Sequence, residues 1–257
     1  MRLLEHKNGE FSLTEDFGNE TRFAILSHTW GAEEVTFRDL TDGTGKGKAG
    51  YRKLQFCGEQ ARRDGLQYFW VDTCCIDKSN STELQEAINS MFHWYRNAAK
   101  CYVYLPDVSK SACDADDKPN QPYWQSTFQK SRWFTRGWTL QELIAPASVE
   151  FFSEEGELLG NKASLERHIC EITGIPVKAL RGASSLSDFS VTERIAWSEN
   201  RETTRKEDIA YSLLGIFDVN MPLIYGEGRE KALGRLREEI DRALKGRFFL
   251  LLLVSND

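Results

Sequence analysis

Over the first 150 residues, short apolar runs alternate with segments of helical period. Phe23-Ala24-Ile25-Leu26-Ser27, Tyr68-Phe69-Trp70-Val71-Asp72, Cys101-Tyr102-Val103-Tyr104-Leu105 and Val149-Glu150-Phe151-Phe152 are too short for helices and read as buried strands. Between them, residues 51–64 carry Leu54, Cys57 and Ala61 at helical spacing and stop at Gly65. The following helix is the clearest element. Thr82 with Gln85 predicts a capping box, and Leu84, Ala87, Ile88, Met91, Phe92 and Tyr95 trace one apolar stripe. Residues 124–130 and a short helix bearing Glu142 follow a polar loop. Strands separated by helices predict an α/β fold, a parallel sheet flanked on both faces.

Beyond residue 153 the period changes. Residues 164–173, 191–200, 206–217 and 229–244 all read as helices, the second with a Ser190/Glu193 capping box, and no new strand is expected before the tail. The pattern predicts an α/β domain over 1–153 and a helical extension over 154–257 packed on it. The loop at 222–228 reads as a structured connection.

Composition narrows the classes of function. A chain of 257 residues with 40% hydrophobic and 12% aromatic content can bury a core, and its formal charge of −6 gives no electrostatic reason to expect nucleic acid as partner. The apolar run at 248–254 is far shorter than the ~20 residues a membrane span requires, and reads as a buried strand, a sticky tail or the point where a longer protein is cut. With no apolar h-region behind the first residues and no CxxC pair among six cysteines, the thiols are expected to be reduced and the location cytoplasmic. Three motifs fail on spacing. Gly43-Thr44-Gly45-Lys46-Gly47-Lys48-Ala49 is one residue short of a phosphate loop and lacks its hydroxyl, the acidic run Asp114-Ala115-Asp116-Asp117 lacks the alternation of a calcium loop, and nothing completes a zinc site around His168 and Cys170.

The densest chemistry lies in Trp138-Thr139-Leu140-Gln141-Glu142-Leu143, just after Ser131-Arg132-Trp133-Phe134-Thr135-Arg136. On a helix, Trp138 and Glu142 share a face, so a carboxylate beside a flat ring with arginines nearby could hold a planar cation. The alternative is structural, with apolar neighbours in the core and Glu142 paired to Arg132 or Arg136. Ligands of parallel sheets bind at the carboxyl ends of the strands, where the first strand delivers Ser27, His28 and Trp30 and the second delivers Asp72 and Asp77. Each has a structural alternative: His28 as a hydrogen-bonding core residue, Trp30 as a lid, Asp72 and Asp77 as turn caps.

Three blocks, Ala24-Ile25-Leu26-Ser27-His28-Thr29-Trp30-Gly31, Trp70-Val71-Asp72-Thr73-Cys74-Cys75-Ile76-Asp77 and Gly137-Trp138-Thr139-Leu140-Gln141-Glu142-Leu143, resemble in order the signature of the fungal heterokaryon incompatibility (HET) domain. Ile209-Ala210-Tyr211-Ser212-Leu213-Leu214-Gly215-Ile216-Phe217 and Ile224-Tyr225-Gly226-Glu227-Gly228 resemble the region that commonly follows it. The resemblance implies a trigger of cell death on non-self recognition, often N-terminal to a nucleotide-binding oligomerisation module and WD repeats. It further implies distant similarity to TIR domains, and with it a TIR-like, flavodoxin-like sheet. Leu26-Ser27 resembles their first-strand block, and Glu83-Leu84-Gln85-Glu86-Ala87-Ile88-Asn89-Ser90 resembles their second helix. Ser131-Arg132-Trp133 with Trp138-Thr139-Leu140-Gln141-Glu142-Leu143 resembles the plant-type block that carries their catalytic glutamate. Two departures stand out: an insertion separates the two halves of that last block, and Thr139 replaces a cysteine.

By that resemblance, Glu142 would be the catalytic residue of a hydrolase cleaving the nicotinamide–ribose bond of NAD⁺, a substrate rather than a cofactor. Ser27, His28, Trp30, Asp72, Asp77, Arg132 and Trp138 would contact it, with no metal required. A second expectation is a non-catalytic death adaptor that works by homo-oligomerisation. A third is a thiol hydrolase pairing His28 with Cys74 or Cys75. The expected partners are further copies of the chain on activation and the oligomerisation and WD-repeat modules, with no nucleic acid and no membrane span.

Overall fold

Phe69 and Trp70, neighbours in one strand, bury on opposite faces of a sheet and show how its two layers are held. Phe69 meets Phe11 edge-on, with 5.6 Å between ring centres, and lies against Gly58. Trp70 packs edge-on against Trp94 and Tyr95, at 5.6 and 5.9 Å. A computed structural model describes residues 1–7, 9–15, 21–111 and 124–254, the last eight of these by backbone alone. Cys113 and the acidic run at 114–117 lie outside the described residues.

The strands are β1 (Leu3–Lys7), β2 (Glu10–Thr14), β3 (Phe23–His28), β4 (Tyr68–Trp70), β5 (Lys100–Tyr104), β6 (Val149–Phe152) and β7 (Leu158–Asn161). They form one sheet of order β2-β1-β4-β3-β5-β6-β7. The central four are parallel, and β1, β2 and β7 extend them antiparallel on both sides. Taken alone, the parallel strands run second-first-third-fourth, the flavodoxin-like winding, whose ligand crevice opens where β3 and β5 diverge in their connections.

The helices are α1 (Phe37–Thr41), α2 (Tyr51–Arg63), α3 (Ser81–Asn97), α4 (Trp124–Gln129), α5 (Thr139–Ile144), α6 (Glu166–Thr173), α7 (Val177–Leu180), α8 (Val191–Ala196), α9 (Asp208–Tyr211), α10 (Leu214–Phe217) and α11 (Arg229–Val254). Helix α2, through Gly58, covers the Phe69 face, and α3, through Trp94 and Tyr95, covers the Trp70 face. The expected stripe on α3 holds: Ala87, Ile88, Met91, Phe92 and Tyr95 are buried. Its cap differs. Asn80, not Thr82, accepts from the backbone N–H groups of Thr82 and Glu83, because the helix begins at Ser81. The Ser190/Glu193 capping box forms as expected.

Four further elements depart from the sequence pattern. The β1–β2 hairpin has a half-buried outer strand, so its periodicity is faint. Strand β7 lies past residue 153, where no strand was expected, and pairs with β6 around a bulge between Phe151 and Phe152. The 206–217 segment splits into α9 and α10, and the backbone of Asp218 turns left-handed after it (φ 57°). The 248–254 run continues α11 rather than forming a strand, and among the described residues no helix is long and apolar enough to cross a membrane. Glycine decides one junction. A Cβ at Gly215 would sit 2.1 Å from Cβ of Phe92, so α10 docks on α3 at backbone contact distance.

Candidate active site at the carboxyl edge of the sheet

The site begins with Asp107, three residues past the end of β5. Its carboxylate accepts from Ser131 Oγ and from the backbone N–H of Arg132, both at 2.8 Å, and so fixes the turn at Arg132–Thr135. That turn drives Trp133 into the core, where its indole N–H donates to Ser27 Oγ at 2.8 Å. Gly137 then lets the chain pass close to a neighbouring segment. Its N–H donates to Glu202 O at 2.9 Å, and a Cβ there would lie 2.4 Å from Thr203 Cγ2. Helix α5 starts at once. All six of its residues are buried, Glu142 among them.

Ser27 Oγ donates to Glu142 Oε2 in a short hydrogen bond. The Tyr95 hydroxyl gives its proton to Leu26 O at 2.9 Å and also borders the Glu142 carboxyl. Each hydroxyl has one proton to give. A neutral Glu142 therefore completes a directed chain from Trp133 through Ser27 and Glu142 to Tyr95 and the Leu26 carbonyl. Burial pushes the Glu142 pKa up to about 8. The Asp72 charge adds to that push, while Ser27 and Arg201 pull against it. Arg201 is itself buried. It donates to Arg136 O and Thr139 Oγ1 at 2.9 and 2.8 Å, and its remaining terminal nitrogen has no hydrogen-bond partner.

A second cluster lies outward of this pair. Asp72 accepts from Trp30 Nε1 at 3.0 Å and from Lys78 at 3.4 Å, and His28 Nε2 lies 3.1 Å from its other oxygen. Burial opposes the Asp72 charge, but Lys78 and His28 outweigh it and hold the carboxyl below its ordinary range. Trp30 is half exposed, with the Lys78 ammonium 3.7 Å from its ring centre. Lys53 steadies this loop from below by donating to Thr29 O at 3.0 Å and pairing with Glu34, which in turn accepts from the Gly31 N–H.

The eight sequence-predicted residues thus separate. Ser27, His28, Trp30, Asp72 and Glu142 gather at one edge. Asp77 closes its own turn by accepting from Ser79 N and Oγ. Arg132 is exposed on its turn, and the Trp138 indole is directed to Asp208 (3.3 Å), not to Glu142. Neither Arg132 nor Arg136 pairs with Glu142; Arg136 reaches Thr204. Three contributors escaped the sequence reading. Trp133 stood inside a recognised block, Tyr95 sat in a core stripe, and Arg201 gave no signal. His28 pairs with Asp72 and leaves Nδ1 without a hydrogen-bond partner, while the Cys74 and Cys75 sulfurs turn to the Val71 backbone. The His28–cysteine pair of a thiol hydrolase is therefore not formed.

Glu142 is 7% exposed, and it lines neither of two cavities of about 550 and 580 Å³. Among the described residues no cluster of His, Cys, Asp and Glu is disposed to hold a metal.

Residues 23–123 match the family model described as "Heterokaryon incompatibility protein (HET)", which takes in the first two sequence blocks. The chain is also 64% identical over 247 residues to the vegetative incompatibility protein HET-E-1 of Podospora anserina, across 94% of its own length, which includes the third block. Residues 23–123 are thus those of a heterokaryon incompatibility (HET) domain. The chain spans 18% of the length of that curated relative. No solved structure matches it. In this HET domain the first two signature blocks form the rim: Ser27, His28 and Trp30 at the end of β3, and Asp72 just past β4. The third block supplies Gly137 for close passage and Glu142 for the buried acid.

Proposed function

We propose that this HET domain is the cell-death effector region of a fungal non-self recognition receptor and that it acts by cleaving the nicotinamide–ribose bond of NAD⁺ at the Ser27–Glu142 pair. The observation that carries the reading is the position of that pair: an acid held against the end of β3, at the switch point of a doubly wound sheet. In the reaction, the C–N bond to nicotinamide breaks, its electron pair returns to the pyridinium ring, and water adds to the ribose carbon with loss of a proton. The leaving group departs neutral without an acid, so the protein supplies an ionised carboxylate beside the oxocarbenium-like centre and the ribose hydroxyls. Trp30, exposed beside Asp72 and Lys78, offers a face on which a planar base can stack.

The acid as it stands is neutral and covered. The reacting state therefore differs from the present one: activation admits water to Glu142 and lowers its pKa toward the ordinary carboxylate value. Clustering of several copies is the trigger that fits a region spanning 18% of its relative, working inside a longer cytoplasmic receptor with nucleotide-binding oligomerisation and WD-repeat modules. A second reading, a non-catalytic adaptor that kills by self-assembly, draws on the same burial of Glu142. Expression of Glu142→Gln in fungal cells separates the two. The enzymatic reading expects NAD⁺ pools and viability to be preserved together, with the folded variant present at normal abundance. Death with undiminished NAD⁺ in that variant makes the domain an adaptor.

A further inference from the structure

A second polar cavity opens at the other end of the sheet. Its volume is about 580 Å³, within the range of small-molecule sites. Arg96 closes α3 just ahead of β5, residues 144–147 lead into β6, and the backbone N–H of Lys162 donates to Val149 O at the start of β6. All of these lie where β5 and β6 begin, whereas Ser27 and His28 end β3. The cavity is thus separate from the candidate active site.

Its charge is unbalanced. Lys162 is 92% buried, taking the complement of its 8% exposure, and donates only to the Leu143 and Pro146 carbonyls, at 3.2 and 2.5 Å. Among the described residues no carboxylate pairs with it. Burial lowers its pKa to about 8, the mark of an ammonium without a compensating anion. Arg194, also buried, donates to Ile216 O at 3.0 Å and lies over the Phe217 ring, and exposed Arg96 faces the same space. Arg181 on the rim is already held by Glu166 in a two-point contact at 2.6 Å. Asp218 is the one acidic side chain among the described lining residues. Ser184, Ser185 and Ser187 bring hydroxyls to one wall, and Phe92, Leu186 and Phe217 bring apolar surface to the others. A buried ammonium without a carboxylate partner, an exposed guanidinium, hydroxyl donors and flat apolar walls together match a phosphate attached to an organic group better than a bare ion.

We infer that this amino-edge cavity binds a phosphorylated small molecule of nucleotide size, its phosphate held between Arg96 and Lys162 and its organic part against Phe92 and Leu186. The inference stands whether or not the opposite edge cleaves NAD⁺.

Calorimetric titration with ADP, with inorganic phosphate as the second probe, tests it. ADP is expected to bind with a dissociation constant below about 1 mM, with phosphate at least about tenfold weaker. Arg96→Glu changes an exposed side chain, and Ser185→Asp keeps a residue able to cap its turn while adding a negative charge. Each is expected to weaken ADP at least about tenfold without moving the melting temperature of the unliganded protein. The inference is overturned by absence of ADP binding at millimolar concentration, by equal binding of phosphate and ADP, or by binding that survives both variants. Loss of ADP binding on Trp30→Ala would place the ligand at the opposite edge and overturn it equally.

Discussion

Glu142 and Asp72 stand at the same edge of one sheet and feel each other's charge, yet their surroundings drive them to opposite protonation states. Glu142 is buried on α5 and hydrogen-bonded to the Ser27 hydroxyl that Trp133 also contacts, and burial holds its proton to about pH 8. Asp72 keeps 18% of its side chain in solvent and is flanked by Lys78, Trp30 and His28, so it stays ionised. Carboxyl groups pushed apart in this way are the arrangement from which acid and base roles are assigned in active sites. The inner group also contributes to the fold's core, whereas the outer group is bound mainly by contacts at the surface. Substitutions should separate the two layers by size of effect.

The largest effect is expected inside. Trp133→Ala removes a fully buried indole and its hydrogen bond to Ser27, and should cost about 3–5 kcal/mol in denaturant unfolding. Ser27→Ala strands the Trp133 N–H and a Glu142 oxygen, and should cost about 1–3 kcal/mol by the same measurement. A further effect on the inner layer is set by pH. Folded Glu142 keeps its proton above the pH at which the unfolded chain loses it. Its contribution to stability is therefore full below about pH 4.3 and is lost progressively as pH rises toward about 8. Glu142→Gln removes that slope, so its stability relative to the wild type should rise steadily as pH is raised from 5 to 8.5 in denaturant unfolding. The smallest effect is expected outside. Trp30→Ala loses a half-exposed ring and its contact with Lys78, and should change stability by less than about 1 kcal/mol. If Trp30→Ala proved as costly as Trp133→Ala, the division into inner and outer layers would collapse.

The sequence holds the sheet's skeleton plainly because β3, β4, β5 and β6 are short apolar runs buried on both faces. It hides β1 and β2, where exposed and half-buried positions blur the period, although Asn8-Gly9 is a hairpin signal that could have found them. Strand β7 escapes because Gly160 and two exposed ends leave it almost no apolar pattern. At the site, Ser27, His28, Trp30 and Asp72 were legible because strand ends can be located from the apolar runs. Trp138 was misassigned for a geometric reason: α5 begins only at Thr139, so the i to i+4 relation with Glu142 has no full helical turn beneath it, and the indole goes to Asp208. Arg201 approaches from more than 60 residues further along the chain, a distance no local pattern spans.

Nicotinamide release from NAD⁺ by purified protein, with copies brought together by a fused oligomerisation tag, tests the central claim most directly. The account predicts steady release by the wild-type chain, at least about 100-fold less by Glu142→Gln, and unchanged folding in both. Equal release from the two proteins, or none from a clustered wild type that still kills cells, would contradict it.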